Sequence, residues 1–483
     1  MTNVSGQNMP VILEEIMQVL DDLHPNADYN CKLNILLAKT AQMLSFKRIC
    51  FKELENIKLI NHYAINFMPS GMGKDKICDD LDKFIFKGFL DYFKAESVKY
   101  KIKQEKKIED EANKLYSEEK QQNNKNGYIE TEKSKIRDLD LEINSATIEG
   151  FFADAKALAE AGFGSLFVKI SEFGMLLLNN RKDEMLFFTG LLEAYDGKVS
   201  SKSTKYAKRE SSVENMPVNT LLHSDYNLFK SDIQAFFDKL MQTGFARRAT
   251  ISFQQNNTQS IDKNPKEARM RQEQAYKNAS IVSSELHQIF LNILNNSIYV
   301  ITDEAYDNVF YPFKLKIIEL SNANQSDDKL NKEIRSRELK VLKLAGMFAC
   351  LNHPMEPFVY ESDVEQAIYV VEQLSQDFKK FLDFKPNKTD NYELLFNFLA
   401  DNLDKEFTKT QLVNDANNYG FKRDLFRKEF DSVFEIIAEM ATEKGYYLQK
   451  KKINNNSGLE ISLVKSCIGD KLPEGVKTLN ELV

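Results

Sequence analysis

The sequence predicts an α/β protein with a mainly parallel, three-layer core and a smaller helical unit at its C-terminus. Three observations predict it. Short β-type runs at 63–68, 166–170, 217–223 and 249–253 alternate with segments of helical apolar spacing. Such alternation builds a parallel sheet covered by helices. A glycine-rich turn, Pro69-Ser70-Gly71-Met72-Gly73-Lys74, follows the first run. Residues 391–483 read helix, helix, helix, hairpin, the order of a winged helix.

The elements follow in order. Residues 1–60 read as an N-terminal helical segment, because Val11, Ile12, Ile16, Val19 and Leu20, and then Leu33, Ile35, Leu36, Leu37 and Ala41, recur at helical spacing. The core spans 61–385. Within it, residues 94–142 are dense in charges of both signs with sparse apolar positions, and predict a solvated helical hairpin broken near 123–127. Residues 255–275 are polar and predict a loop. Residues 278–384 predict a helical lid, with Val341, Leu342, Leu344, Ala345 and Phe348 on one stripe. Pro386 and Asn387 mark a linker, and 388–483 form the last domain. There, Thr408 and Gln411 have capping-box spacing, Lys422–Met440 predicts a third helix, and two strands flank Asn454–Gly458.

Composition narrows the function classes. The chain has 483 residues, of which 42% are hydrophobic and 28% charged, as in a folded protein. Only 18 glycines and 10 prolines argue for a helical bias. The net charge of −7 excludes a chain-wide basic coat, so any nucleic-acid contact must be local. No apolar run reaches the ~20 residues that span a bilayer, and no secretory signal opens the chain. The five cysteines lack CxxC spacing, which predicts a reduced, cytoplasmic protein without a disulfide framework or structural zinc.

Three local patterns carry chemistry. In the glycine-rich turn, Ser70, Gly71 and Gly73 let the backbone approach a phosphate, and Lys74 neutralises its charge. The P-loop pattern GxxxxGK[ST] is matched except for Met68 at the first glycine and Asp75 at the Mg²⁺-binding hydroxyl. The strand ending at Ile170 delivers Ser171 and Glu172, where a Walker B segment places a metal-orienting acid and then a water-activating one. Glu172 fits the second role, while Asp75 and Ser171 are the candidate metal ligands. Arg247 and Arg248 precede the 249–253 strand, as a finger reaching a neighbouring subunit's γ-phosphate does. Asn219, Thr220, His223 and Ser224 are candidate polar groups on the strand beside Walker B.

These segments, with Leu191-Leu192-Glu193-Ala194-Tyr195-Asp196-Gly197 and Ser336-Arg337, resemble the AAA+-type helicase domain of phage and plasmid replication proteins. That family is often fused behind a primase–polymerase. The resemblance covers about residues 30–385. It implies a P-loop ATPase that uses ATP and Mg²⁺ to translocate on DNA as a hexameric ring in the bacterial host cytoplasm. It implies Lys74 as the P-loop lysine, Glu172 as the Walker B glutamate, Arg248 as the motif arginine, and Arg337 at the nucleotide. About 60 residues precede the P-loop strand, so a primase is expected as a separate partner. Asp75 and Ser171 depart from the pattern.

Despite the acidic total, Lys422, Arg423, Arg427 and Lys428 on the third helix and Lys450, Lys451 and Lys452 on the first wing strand form a basic patch suited to DNA phosphates. Two alternatives stay open: a nucleotide-binding assembly or adaptor protein without turnover, and a replication initiator or loader.

Overall fold

The computed structural model describes residues 8–116, 122–143, 147–174, 182–200, 212–226, 238, 240–255, 264–384, 389–403, 405–418, 430–443, 446–452 and 459–465. The chain divides into Met1–Phe384 and Lys385–Val483.

The first unit is mixed α/β. Its main sheet holds β3 (Tyr63–Phe67), β4 (Glu142–Ile143), β5 (Leu166–Ile170), β6 (Val218–Ser224) and β7 (Thr250–Phe253) in the order β4-β5-β6-β3-β7. Every pairing is parallel. All residues of β3, β6 and β7 are buried, as happens when a parallel sheet is covered on both faces. The four predicted strands are present within a residue or two of their expected bounds. Helix α1 (Val11–Leu23) and helix α2 (Tyr29–Ser45) precede the sheet, and α2 packs across β3, β6 and β7.

One buried side chain ties α2 to the sheet. Asn34 Nδ2 donates to Ile65 O at 3.1 Å, Asn66 Oδ1 at 2.6 Å and Thr250 O at 3.2 Å. Its Oδ1 accepts from Thr250 Oγ1 at 2.5 Å. A buried amide is tolerated only when bonded in this way.

Helices α1 and α2 share one hydrophobic core with the main sheet, so residues 1–60 are not a separate body. They also hold two strands where helix was expected. β1 (Cys50–Glu53) and β2 (Asn56–Leu59) form a hairpin, and β8 (Ile298–Ile301) and β9 (Phe358–Val359) extend it into a second sheet ordered β2-β1-β8-β9. β8 and β9 interrupt the lid, which was also expected to be helical. None of these strands exceeds four residues, too short for alternation to stand out against flanking helices.

α3 is Lys74–Asp80, and the charged insertion is an antiparallel helix pair, α4 (Lys87–Leu115) with α5 (Gln122–Lys133). Glu109 meets Lys133 at 2.5 Å and Lys101 meets Asp138 at 2.8 Å. The break expected at 123–127 instead lies inside α5. Residues 265–275, expected as loop, open a long helix at Pro265–Asn292: Asn264 caps it by accepting from Lys266 N at 3.1 Å, and proline occupies the first turn. Among the described residues no helix is long and apolar enough to cross a membrane.

The second unit runs helix Thr389–Asp401, β10 (Phe407–Thr408), helix Lys409–Asn418, helix Phe430–Glu443, β11 (Tyr446–Lys452) and β12 (Leu459–Lys465). Its sheet is ordered β10-β12-β11, with both pairings antiparallel. The capping box is present: Gln411 N donates to Thr408 Oγ1 at 3.3 Å, and Thr408 N donates to Gln411 Oε1 at 3.0 Å. Leu395, Leu399, Leu412, Val433, Ile437, Ile461 and Leu463 form a core of their own.

Asn34→Ala removes the buried hydrogen bonds that tie α2 to β3 and β7. It is expected to lower the stability of the first unit by about 2–4 kcal/mol, read from urea unfolding.

Candidate functional site

The site is built at the ends of three parallel strands. Register pairs Phe67 of β3 with Ser224 of β6, and Ile170 of β5 with Leu222 of β6. The C-terminal tips of β3, β5 and β6 therefore share one edge, where open α/β sheets bind ligands.

After β3 the chain turns through Pro69–Gly73. Gly71 and Gly73 sit at φ of 84° and 85°, a left-handed conformation that an L side chain would strain by about 1–2 kcal/mol. The turn leads directly into α3, whose first residue is Lys74. Lys74 Nζ donates to Ser171 O at 3.1 Å and forms an ion pair with Glu172 Oε1. Ser171 Oγ donates to Asp75 Oδ1 at 3.2 Å. The structure thus brings together Ser70, Gly71, Gly73, Lys74, Asp75, Ser171 and Glu172.

It adds a residue that sequence reasoning passed over. Asp225 directly follows β6, is 4% exposed, and accepts from Ser70 N at 2.9 Å through Oδ2. Its own N–H donates to Glu172 Oε2 at 3.3 Å. The argument that finds Glu172, an acid just past a strand end, also finds Asp225 one residue past the expected polar tip.

Ser224 stands at the β6 tip with the site, while Asn219, Thr220 and His223 have structural roles or lie deeper. Asn219 Nδ2 donates to Ser45 Oγ at 2.8 Å, and its Oδ1 accepts from His62 N at 2.9 Å. Thr220 pairs with Tyr63 at the far end of β3. His223 lies 3.7 Å from Cys78 Sγ. Burial, helped by Lys74, Lys169 and Lys39, pulls His223 down to about 3. Burial pushes Cys78 up to about 12. The pair is therefore neutral and the thiol is not a nucleophile at neutral pH.

Arg247 and Arg248 occupy the opposite edge. Register pairs Ala64 with Thr250, so Arg248 stands level with the segment before β3. Arg248 lies 5.7 Å from the Tyr195 ring centroid and donates from Nη1 to Gly244 O at 3.3 Å. Arg247 is exposed. Lys343 Nζ approaches the same ring to 3.9 Å and donates to Tyr195 O at 3.0 Å and to Asn61 Oδ1. Segments 191–197, 244–248 and 336–343 thus converge at one place. It is the far end of the sheet from Lys74.

Arg337 is not brought to Lys74 either. Its guanidinium binds Glu333 Oε2 through Nε at 2.8 Å and Nη2 at 2.6 Å. Ser375 Oγ donates to Glu333 Oε1 at 3.0 Å, and Lys340 completes the cluster beside the start of β7. Burial alone would raise Glu333, but Lys340 and Arg337 hold it below the usual carboxylate range. Within the chain, Arg337 helps to neutralise this buried carboxylate.

Lys422, Arg423, Arg427 and Lys428 lie outside the described residues. Lys450, Lys451 and Lys452 lie on β11, paired with Ile461, Glu460 and Leu459 of β12. Among the described residues, no group of three or more histidine, cysteine or acidic side chains is arranged to hold a metal ion. No protein-family model matches the chain, and no curated protein matches it.

The Lys343 cluster gives a pH signature. Burial, with Lys58 and Arg248, pulls Lys343 down to about 7 against the pull of Asp196. Between about 7 and the ordinary value of 10.5, the unfolded chain holds this proton and the folded chain does not. The contribution to stability therefore rises as pH rises through that window. Lys343→Met is expected to gain less stability than wild type between about pH 7 and pH 9 in urea unfolding. Equal gains would contradict the assignment.

Proposed function

We propose that the first unit binds ATP at Pro69–Lys74 and hydrolyses it to drive movement along DNA, as a phage-type replicative helicase subunit acting in a bacterial cytoplasm. The observation that carries this is the pairing of Lys74 with Glu172 and Ser171 O at the C-terminal edge of a parallel sheet, under a turn made by two left-handed glycines. Glu172 is the counter-ion of Lys74. An incoming phosphate takes that place, and Glu172 becomes available to accept a proton from water.

Asp75 and Ser171 fit a magnesium ion in part: their oxygens are neighbours and supply one carboxylate and one hydroxyl. Magnesium sites use one or two protein carboxylates and complete the shell with substrate phosphates and water. When bound, the ion neutralises phosphate charge. Arg247 and Arg248 stand at the opposite edge, so they serve a phosphate only on a neighbouring copy, as a hexameric ring provides. The second unit has the element order of a winged helix, which supports DNA binding through Lys450, Lys451, Lys452 and the basic segment 422–428.

One observation favours a second reading, nucleotide binding without turnover in an assembly protein. Ser171 stands where the metal-orienting acid is expected, and its hydroxyl is engaged by Asp75. Phosphate release over many turnovers separates the two.

Under the helicase reading, Lys74→Ala and Glu172→Gln each reduce DNA-stimulated ATP hydrolysis at least ~100-fold while circular dichroism is unchanged. Undiminished hydrolysis in both variants contradicts it. Alanine at Lys450, Lys451 and Lys452 together is expected to weaken DNA binding and to flatten the logarithmic salt dependence by roughly 2–3.

A further inference from the structure

We propose that Asp225 is a positioning residue that clamps the glycine-rich loop and aims Glu172 at the same time. The proposal deepens the nucleotide-site reading and rests on it for the catalytic half. The clamp itself stands on contacts within the chain.

Three contacts and the chain itself form a closed circuit. Ser70 N donates to Asp225 Oδ2, Asp225 N donates to Glu172 Oε2, and Glu172 Oε1 pairs with Lys74. The turn Ser70–Lys74 closes the ring covalently. One further bond, Met68 N to Ser224 O at 3.1 Å, carries the pairing of β3 and β6 one residue past the strands. The loop is therefore held at its start by the tip of β6 and at its end by the tip of β5.

Asp225 is suited to the task. A carboxylate 4% exposed is costly unless its oxygens are bonded. A bond from an amide to a charged acceptor is roughly twice as strong as a neutral one. Its neighbour Tyr226 anchors the main chain: the ring lies 5.2 Å from Phe253 and the hydroxyl donates to Gln255 O at 2.9 Å. The donor that reaches Glu172 is thus a fixed backbone N–H, the kind of support that keeps a reacting group in one geometry.

The arrangement also explains how the site is built with Ser171. Two acids in a row on one strand tip are replaced by one acid on each of two neighbouring tips, Glu172 after β5 and Asp225 after β6.

The test uses the full chain with Asp225→Ala and Asp225→Asn, the second retaining an acceptor for the Ser70 N–H. Without nucleotide, Asp225→Ala is expected to speed amide exchange across Pro69–Lys74 about tenfold or more, and with ATP to raise KM about tenfold while kcat falls less. Asp225→Asn should stay within about threefold of wild type in both measurements. Loop exchange unchanged in Asp225→Ala, or Asp225→Asn as damaging as Asp225→Ala, overturns the proposal. If the wild type hydrolyses no ATP while Asp225→Ala still loosens the loop, the clamp stands and the ATPase reading falls.

Discussion

Glu172 reaches Lys74 because β3 and β5 flank β6, all three parallel and in register. Parallel pairing sends every C-terminal tip to the same edge, so residues about a hundred positions apart converge there. A one-residue slip of β5 would turn its side chains to the opposite faces of the sheet and carry Glu172 off the edge. The apolar burial of β3, β6 and β7 and the Asn34 network that locks α2 onto the sheet fix that register. Site geometry is thus a consequence of core packing, and the loop glycines act on a frame already set.

The two edges of the sheet carry different chemistry. At the C-terminal edge, Lys74 is half-buried and pairs with Glu172, with Asp75 and Asp225 in the same hydrogen-bonded group. At the N-terminal edge, Arg248 and Lys343 flank Tyr195, while Arg337 and Lys340 neutralise Glu333. Breaking a buried ion cluster by removing one partner leaves an uncompensated charge, which is strongly destabilising. That cost keeps Arg337 in place. Arg247, exposed beside this cluster, is the cation there most open to another molecule.

Much of this was legible in the sequence where a local rule decides the structure. The four long β-runs, the left-handed glycines at 71 and 73 and the Thr408–Gln411 box depend on residues near one another. What was missed depends on partners far away. β1 pairs with β8 between Cys50 and Ile298, more than two hundred residues apart, and β8 pairs with β9 between Val300 and Phe358, while β2 joins only through its hairpin with β1. The cluster of Arg337 with Glu333 and Ser375 forms only in the fold, because Ser375 lies 42 residues from Glu333. Asp225 was passed over because its importance lies in Ser70, 155 residues away. The polar stretch 265–275 looked like loop, yet Asn264 and Pro265 start a helix there.

The central claim is that the edge holding Lys74 receives the phosphates of a nucleotide. Equilibrium binding of a fluorescent ATP analogue with Mg²⁺, competed by unlabelled ATP, tests it most directly. The account predicts saturable, competable binding to the wild type, weakened at least ~10-fold by Lys74→Met in a protein that stays folded. No binding to the wild type, or equal affinity in both proteins, would contradict it.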